Sequence, residues 1–149
     1  SLAESCTGGL IAQLLTDQPG ASAFLERSIV SYANSAKVDC LKVDQEVLDR
    51  HGAVSPECAE AMAKGVWSAA GTDISLAVTG IAGPDGGTAD KPVGTIYLAM
   101  ISPQGKRVER FNFSGNREQV RLRTACTALD WLRRQAMAQL SGGFLEDEA

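Results

Sequence analysis

The stretch ISLAVTGIAGPDGG, Ile74 to Gly87, decides the fold class. Its first six residues form a nearly continuous apolar run that stops at Gly80, the pattern of a strand at the buried centre of a sheet. A glycine-rich loop spans Gly80 to Pro92, and Val93 to Ser102 reads as a second long strand. Pro103-Gln104-Gly105 makes a turn, after which Arg107 to Phe113 alternates like an edge strand. Upstream, Ser55-Pro56-Glu57 is a helix start: a capping serine, proline at the first helical position and an acid in the first turn. Ala59, Met62, Ala63, Val66, Trp67 and Ala70 follow at helical spacing, and Gly71 closes the helix. Helix, strand and hairpin in succession predict an α/β domain with a mixed sheet.

The flanking segments extend this alternation. Ser1 to Glu4 reads as the end of a strand, and Gly8-Gly9 opens a helix with Leu10, Ile11, Leu14 and Leu15 in one stripe. Pro19-Gly20 ends that helix, and Ser28 to Tyr32 is a short strand. Asn34 can cap a helix through Leu41, and Asp44 can cap the next, with Gly52 as its stop. Asn116 caps the last long helix, with Leu122, Ala125, Cys126, Leu129, Leu132, Ala136 and Leu140 on one face and Gly142-Gly143 as its end. One domain over residues 1–143 and a loose acidic tail over 144–149 are expected.

Composition narrows the function. The chain has 149 residues, 44% hydrophobic and 21% charged, which suits one globular domain with a real core. A net charge of -4 argues against duplex nucleic acid as the main partner. No apolar run reaches the ~20 residues that span a bilayer, so no membrane partner is expected. With His51 the only histidine, two-histidine mechanisms and most zinc sites are excluded, and no metal or cofactor is expected. Cys6, Cys40, Cys58 and Cys126 form no C-x-x-C pair and read as reduced, half-buried thiols of a cytoplasmic protein. The chain opens at Ser1 without methionine, as a piece of a longer sequence would.

Three segments rich in small polar residues each follow an expected strand, where α/β sheets bind ligands. In Glu4-Ser5-Cys6-Thr7-Gly8-Gly9, Ser5 on a strand-to-helix turn lies near free N–H groups that stabilise anions, including an oxyanion. Ser5 or Thr7 can equally serve only as a cap, and Cys6 is a rival nucleophile. In Ser31-Tyr32-Ala33-Asn34-Ser35-Ala36-Lys37, the lysine lies one turn into a helix and can swing back toward Tyr32. A nucleophilic serine needs a base, and a lysine serves if burial lowers its pKa. A surface lysine lying over the sheet is the plainer alternative. In the third segment, from Thr79 to Gly87 and on to Gly94, glycines let the backbone approach a ligand, and Thr79 can donate to it. Arg117 and Arg121, at the start of the last helix, suit a phosphate or form a solvated basic face.

Together these segments resemble the CinA C-terminal-domain family, which includes the bacterial nicotinamide-nucleotide amidases. The matching stretches are AESCTGG from Ala3, SYANSAK from Ser31, GAVS from Gly52, TGIAGPDGG from Thr79 and KPVGT from Lys91. They occur in the family's order from Ala3 to about Leu140. Ala33 stands where the family often has serine, and Ser28 where it often has glycine. The resemblance implies a three-layer α/β/α fold with a mixed, mostly parallel sheet. It also implies conversion of nicotinamide mononucleotide to nicotinic acid mononucleotide and ammonia. The family usually carries a helix and a strand before AESCTGG, so both are expected upstream of Ser1. A homodimer is a further expectation.

Carried over by residue, the resemblance makes Ser5 the nucleophile, with Lys37 or Tyr32 as base and Thr79 as a further catalytic group. Substrate contacts are then expected from Thr7, Gly8 and Gly9, from Asn34, from Gly80, Gly83 and Gly86, and from Arg117 and Arg121. The N–H groups near Gly8 and Gly9, with Thr79, would hold the oxyanion. The competing reading is a non-catalytic nucleotide-binding or regulatory module.

Overall fold

The computed structural model describes residues 1–140. Five strands, β1 (Leu2–Glu4), β2 (Ser28–Val30), β3 (Ser75–Gly80), β4 (Thr95–Ser102) and β5 (Gly105–Asn112), form one sheet in the order β2-β1-β3-β4-β5. β1 pairs in parallel with β2 and β3, whereas β4 is antiparallel to both β3 and β5. Four strands therefore run one way and β4 runs against them. The mixed sheet is as expected, and its parallel half carries the chain ends that matter for function.

Helices α1 (Leu10–Thr16) and α5 (Arg117–Leu140) cover one face of the sheet, and α2 (Asn34–Leu41), α3 (Gln45–His51) and α4 (Pro56–Ala70) cover the other. Period-2 alternation along β3 explains the two cores. Leu76 and Val78 pack with Ile11, Val120 and Trp131, while Ala77 packs with Leu41, Met62 and Val66. The small Ala3, Ala77 and Ala99 on the second face make room for the broad α4.

Local signals account for most boundaries. Ser55 Oγ accepts from Cys58 N at 3.1 Å, Asp44 caps α3 through Glu46 N, and Asn116 and Gln119 cap α5 reciprocally. Three expectations need correction. Asn34 does not cap α2: Ala33 holds that position in extended backbone, and Asn34 is the first helical residue, exposed and making no side-chain cap bond. The buried face of α5 is Val120, Thr124, Ala125, Ala128, Trp131 and Gln135, whereas Leu122, Cys126 and Leu140 are exposed. Ala125 is buried and Leu129 and Leu132 pack against the core as expected, so the expected stripe is right in part. The thiols are not uniformly half-buried either, since Cys6 and Cys58 are buried and Cys40 and Cys126 exposed, all four free. Gly142-Gly143 and the tail 144–149 lie outside the described residues.

Gly65 lets α2 and α4 touch. A Cβ there would sit 1.9 Å from the Leu41 carbonyl oxygen. Gly65→Ala is therefore expected to destabilise the fold by ~1–3 kcal/mol, as overpacking does, measured as a lower urea midpoint at unchanged slope.

Candidate active site

Strand β1 ends at Glu4, and Ser5 begins a tight turn closed by Gly8 N donating to Ser5 O at 3.0 Å. Gly9, at the N-cap of α1, has φ +96°, a conformation that side chains disfavour. Glycine has no side chain to cap the helix. The buried Glu4 carboxylate does it instead, and the sequence reading missed this residue. Its Oε2 accepts from Thr7 Oγ1 at 2.7 Å, Gly9 N at 3.1 Å and Ile11 N at 3.1 Å, and its Oε1 from Ala12 N at 2.9 Å. The signal available was a helix start without a local capping side chain, preceded by an acid.

The second segment brings Lys37 to Ser5. Lys37 is 1% exposed, so the surface-lysine alternative fails. Its Nζ lies 3.0 Å from Ser5 Oγ, 2.8 Å from the Ser31 carbonyl and 3.4 Å from the Tyr32 carbonyl. Ser31 N in turn donates to Glu4 O at 2.8 Å, joining the two segments. Burial pulls the Lys37 pKa below its usual 10.5, against a smaller opposite pull from Cys58 and Cys6. No carboxylate pairs with Lys37 among the described residues, so desolvation prevails.

Burial raises the Cys6 thiol to about 12, which leaves it protonated near neutrality and removes it as a rival nucleophile. Cys6→Ala is expected to keep turnover within about tenfold of wild type, whereas a thiol nucleophile would lose ~10³-fold or more. The steady-state rate distinguishes the two.

The third segment and α5 complete the rim. Arg117 donates to Gly83 O at 2.7 Å and to the Tyr32 hydroxyl at 2.6 Å, and Arg121 donates to Thr7 O at 2.8 Å. Neither arginine pairs with a carboxylate among the described residues. Both guanidiniums are thus held by neutral oxygens, Arg121 at the Ser5 turn and Arg117 between the third segment and Tyr32.

Several expected roles shift. The Tyr32 ring is 57% exposed, and its carbonyl rather than its hydroxyl faces Lys37. The Thr79 hydroxyl donates to Ala53 O at 2.7 Å, and Gly8 N and Gly9 N donate to Ser5 and Glu4, so these three donors are already committed. The N–H groups of Cys6 and Thr7 reach no oxygen among the described residues and lie against the Cys6 sulfur. Gly80 packs tightly against β4, where a Cβ would meet Ile96 Cδ1 at 2.4 Å. Gly86 is exposed at φ +91° and makes no hydrogen bond to the dyad.

The GAVS stretch acts as an anchor. Its Ala53 carbonyl takes Thr79, and Lys91 Nζ donates to Val54 O at 2.6 Å and to His51 O at 3.3 Å. His51 is exposed, with Nδ1 3.5 Å from Glu57. No cluster of three metal-ligating residues occurs among the described residues, and no helix there is long and apolar enough to cross a membrane. A cavity of about 510 Å³, lined by Leu2, Phe24, Leu25, Ile74, Leu129 and Arg133, lies away from the dyad. Its lining contains neither Ser5 nor Lys37.

Known proteins resemble this chain throughout. A sequence profile described as CinA C-terminal domain matches residues 1–136. A CinA-like protein of Syntrophotalea carbinolica is 61% identical over 134 residues, 90% of this chain and 32% of that protein. One from Geotalea uraniireducens is 55% identical over 138 residues, covering 93% and 33%. The chain thus spans about a third of these relatives. The crystal structure of competence damage-inducible protein A from Klebsiella pneumoniae superposes with TM-score 0.87 at 37% identity, covering 91% of this chain and 84% of that one. A competence/damage inducible protein from Agrobacterium tumefaciens gives 0.86 at 45% identity, covering 89% and 81%.

Proposed function

This chain belongs to the CinA C-terminal-domain family, and from that premise we propose that it is an amidohydrolase that deamidates nicotinamide mononucleotide. The relatives' names speak of competence and damage induction and specify no reaction. The observation that carries the reading is the 3.0 Å approach of Lys37 Nζ to Ser5 Oγ inside a site where the lysine is 1% exposed.

The geometry suits a neutral amine. In the neutral state its two hydrogens can go to the Ser31 and Tyr32 carbonyls, and the lone pair is then left for the Ser5 hydroxyl 3.0 Å away. Lys37 then takes the Ser5 proton as Oγ attacks the carboxamide carbon. The tetrahedral oxyanion would form beside the turn from Ser5 to Gly9, where each N–H donated to it contributes ~3 kcal/mol in the transition state. The lysine ammonium returns its proton to the departing nitrogen, which leaves as ammonia. Water, with Lys37 again as base, hydrolyses the acyl-serine. Arg117 and Arg121 attract the phosphate.

Ammonia release from nicotinamide mononucleotide, measured for wild type and Ser5→Ala, tests this. Release by wild type that Ser5→Ala abolishes is the expected result. Tight binding without release by wild type would point to the non-catalytic module instead.

A further inference from the structure

We propose that Tyr32 is a specificity residue: the face of its ring receives a cationic pyridinium, while the arginine rim takes the anion on the same molecule. This deepens the amidase reading and rests on it. The phenol is a poor proton relay by position. Its hydroxyl is tethered to Arg117, which is itself anchored on the Gly83 carbonyl. Neither Ser5 Oγ nor Lys37 Nζ is hydrogen-bonded to that hydroxyl.

The ring is placed as a platform. Exposure rises from 0% at Ser31 to 57% at Tyr32, and both main-chain carbonyls contact Lys37, so an exposed aromatic side chain adjoins a buried dyad. Its orientation is set from both ends, by the backbone that cradles Lys37 and by Arg117 at the hydroxyl. Nothing stacks on it: the aromatic and cation–π contacts among the described residues involve Phe111, Phe113, Trp131 and Arg107, all elsewhere. Val30 is 47% exposed, and its Cγ2 lies 3.6 Å from where a Gly9 Cβ would be, so an exposed apolar side chain borders the nucleophile turn.

The charges complete the argument. An N-alkylated pyridine carboxamide carries a fixed positive charge beside the carbonyl to be attacked. Arg117 and Arg121 repel that charge, and the negative face of the Tyr32 ring attracts it. A nucleotide with a pyridinium at one end and a phosphate at the other matches this division. A cation–π contact at such a half-exposed site changes affinity by about threefold to thirtyfold.

The test uses Ser5→Ala protein, which binds without turnover. It is titrated by calorimetry with nicotinamide mononucleotide and with its 1,4-dihydro form, which keeps carboxamide, ribose and phosphate but has an uncharged ring. The oxidised form is expected to bind ~3- to 30-fold more tightly. Adding Tyr32→Leu is expected to erase that preference, and Tyr32→Phe to retain it. In turnover, Tyr32→Leu is expected to raise KM more than it lowers kcat. Equal affinity for the two forms would overturn the proposal. So would a preference surviving Tyr32→Leu, or a Tyr32→Phe loss confined to kcat, which marks a relay. Preference without ammonia release by wild type removes the amidase reading alone, and no binding of either form removes both.

Discussion

Lys37→Met is expected to lower the deamidation rate by ~10³- to 10⁴-fold while the protein stays folded. Methionine fills nearly the same volume but cannot take a proton from Ser5. Adding Ser5→Ala to Lys37→Met should cost little more than the worse single change, because the two act as a unit. Burial favours the neutral amine and so lowers the Lys37 pKa. Activity should therefore rise with pH through a value below the usual 10.5 and then level off. Stability should follow the same direction. The unfolded chain holds the Lys37 proton more tightly, so wild type gains stability as pH rises from the lowered value toward 10.5. Lys37→Met should lack that rise. A pH–rate profile and a series of melting temperatures check both; a wild-type rate flat with pH would remove lysine as the base.

Glu4→Ala is expected to be the most destabilising single substitution near the site. It would strip the acceptor from Thr7 Oγ1 and from the N–H groups of Gly9, Ile11 and Ala12, all at a residue that is 0% exposed. Two of these bonds are buried and two part-buried, and each unsatisfied buried donor costs ~1–3 kcal/mol, so a loss of ~2–6 kcal/mol is expected. That is a large share of the ~5–15 kcal/mol typical of a domain. Glu4→Gln keeps one carbonyl oxygen but turns an NH₂ toward an N–H donor, so an intermediate loss is expected. Urea denaturation of the three proteins orders them, and a Glu4→Ala protein as stable as wild type would show that water satisfies these donors.

The elements were legible where their cause is local. Ser55-Pro56-Glu57 and Asp44 start helices by their own side chains, and the structure has both caps in place. The Ser5 and Lys37 pairing was legible only through motif order, because nothing within SYANSAK shows that the lysine is buried. That burial comes from α4 packing over α2, which depends on Gly65 and Leu41, distant in sequence. Glu4 went unread because the backbone N–H groups it takes lie five to eight residues ahead, beyond the reach of a local cap. The same holds for Thr79, whose hydroxyl is claimed by a carbonyl 26 positions earlier. A side chain's neighbours across the fold decide whether a donor is free for substrate.

The acceptors that hold Lys37 besides Ser5 are the main-chain carbonyls of Ser31 and Tyr32. Every residue type brings the same carbonyl, so drift at those positions leaves the cradle intact. Genetic change can erase the dyad directly by altering Ser5 or Lys37, or indirectly by shifting the backbone that Glu4 pins or the α2–α4 packing that buries the lysine. A descendant that keeps these features inherits the proton-transfer geometry, even where the letters at 31 and 32 have changed.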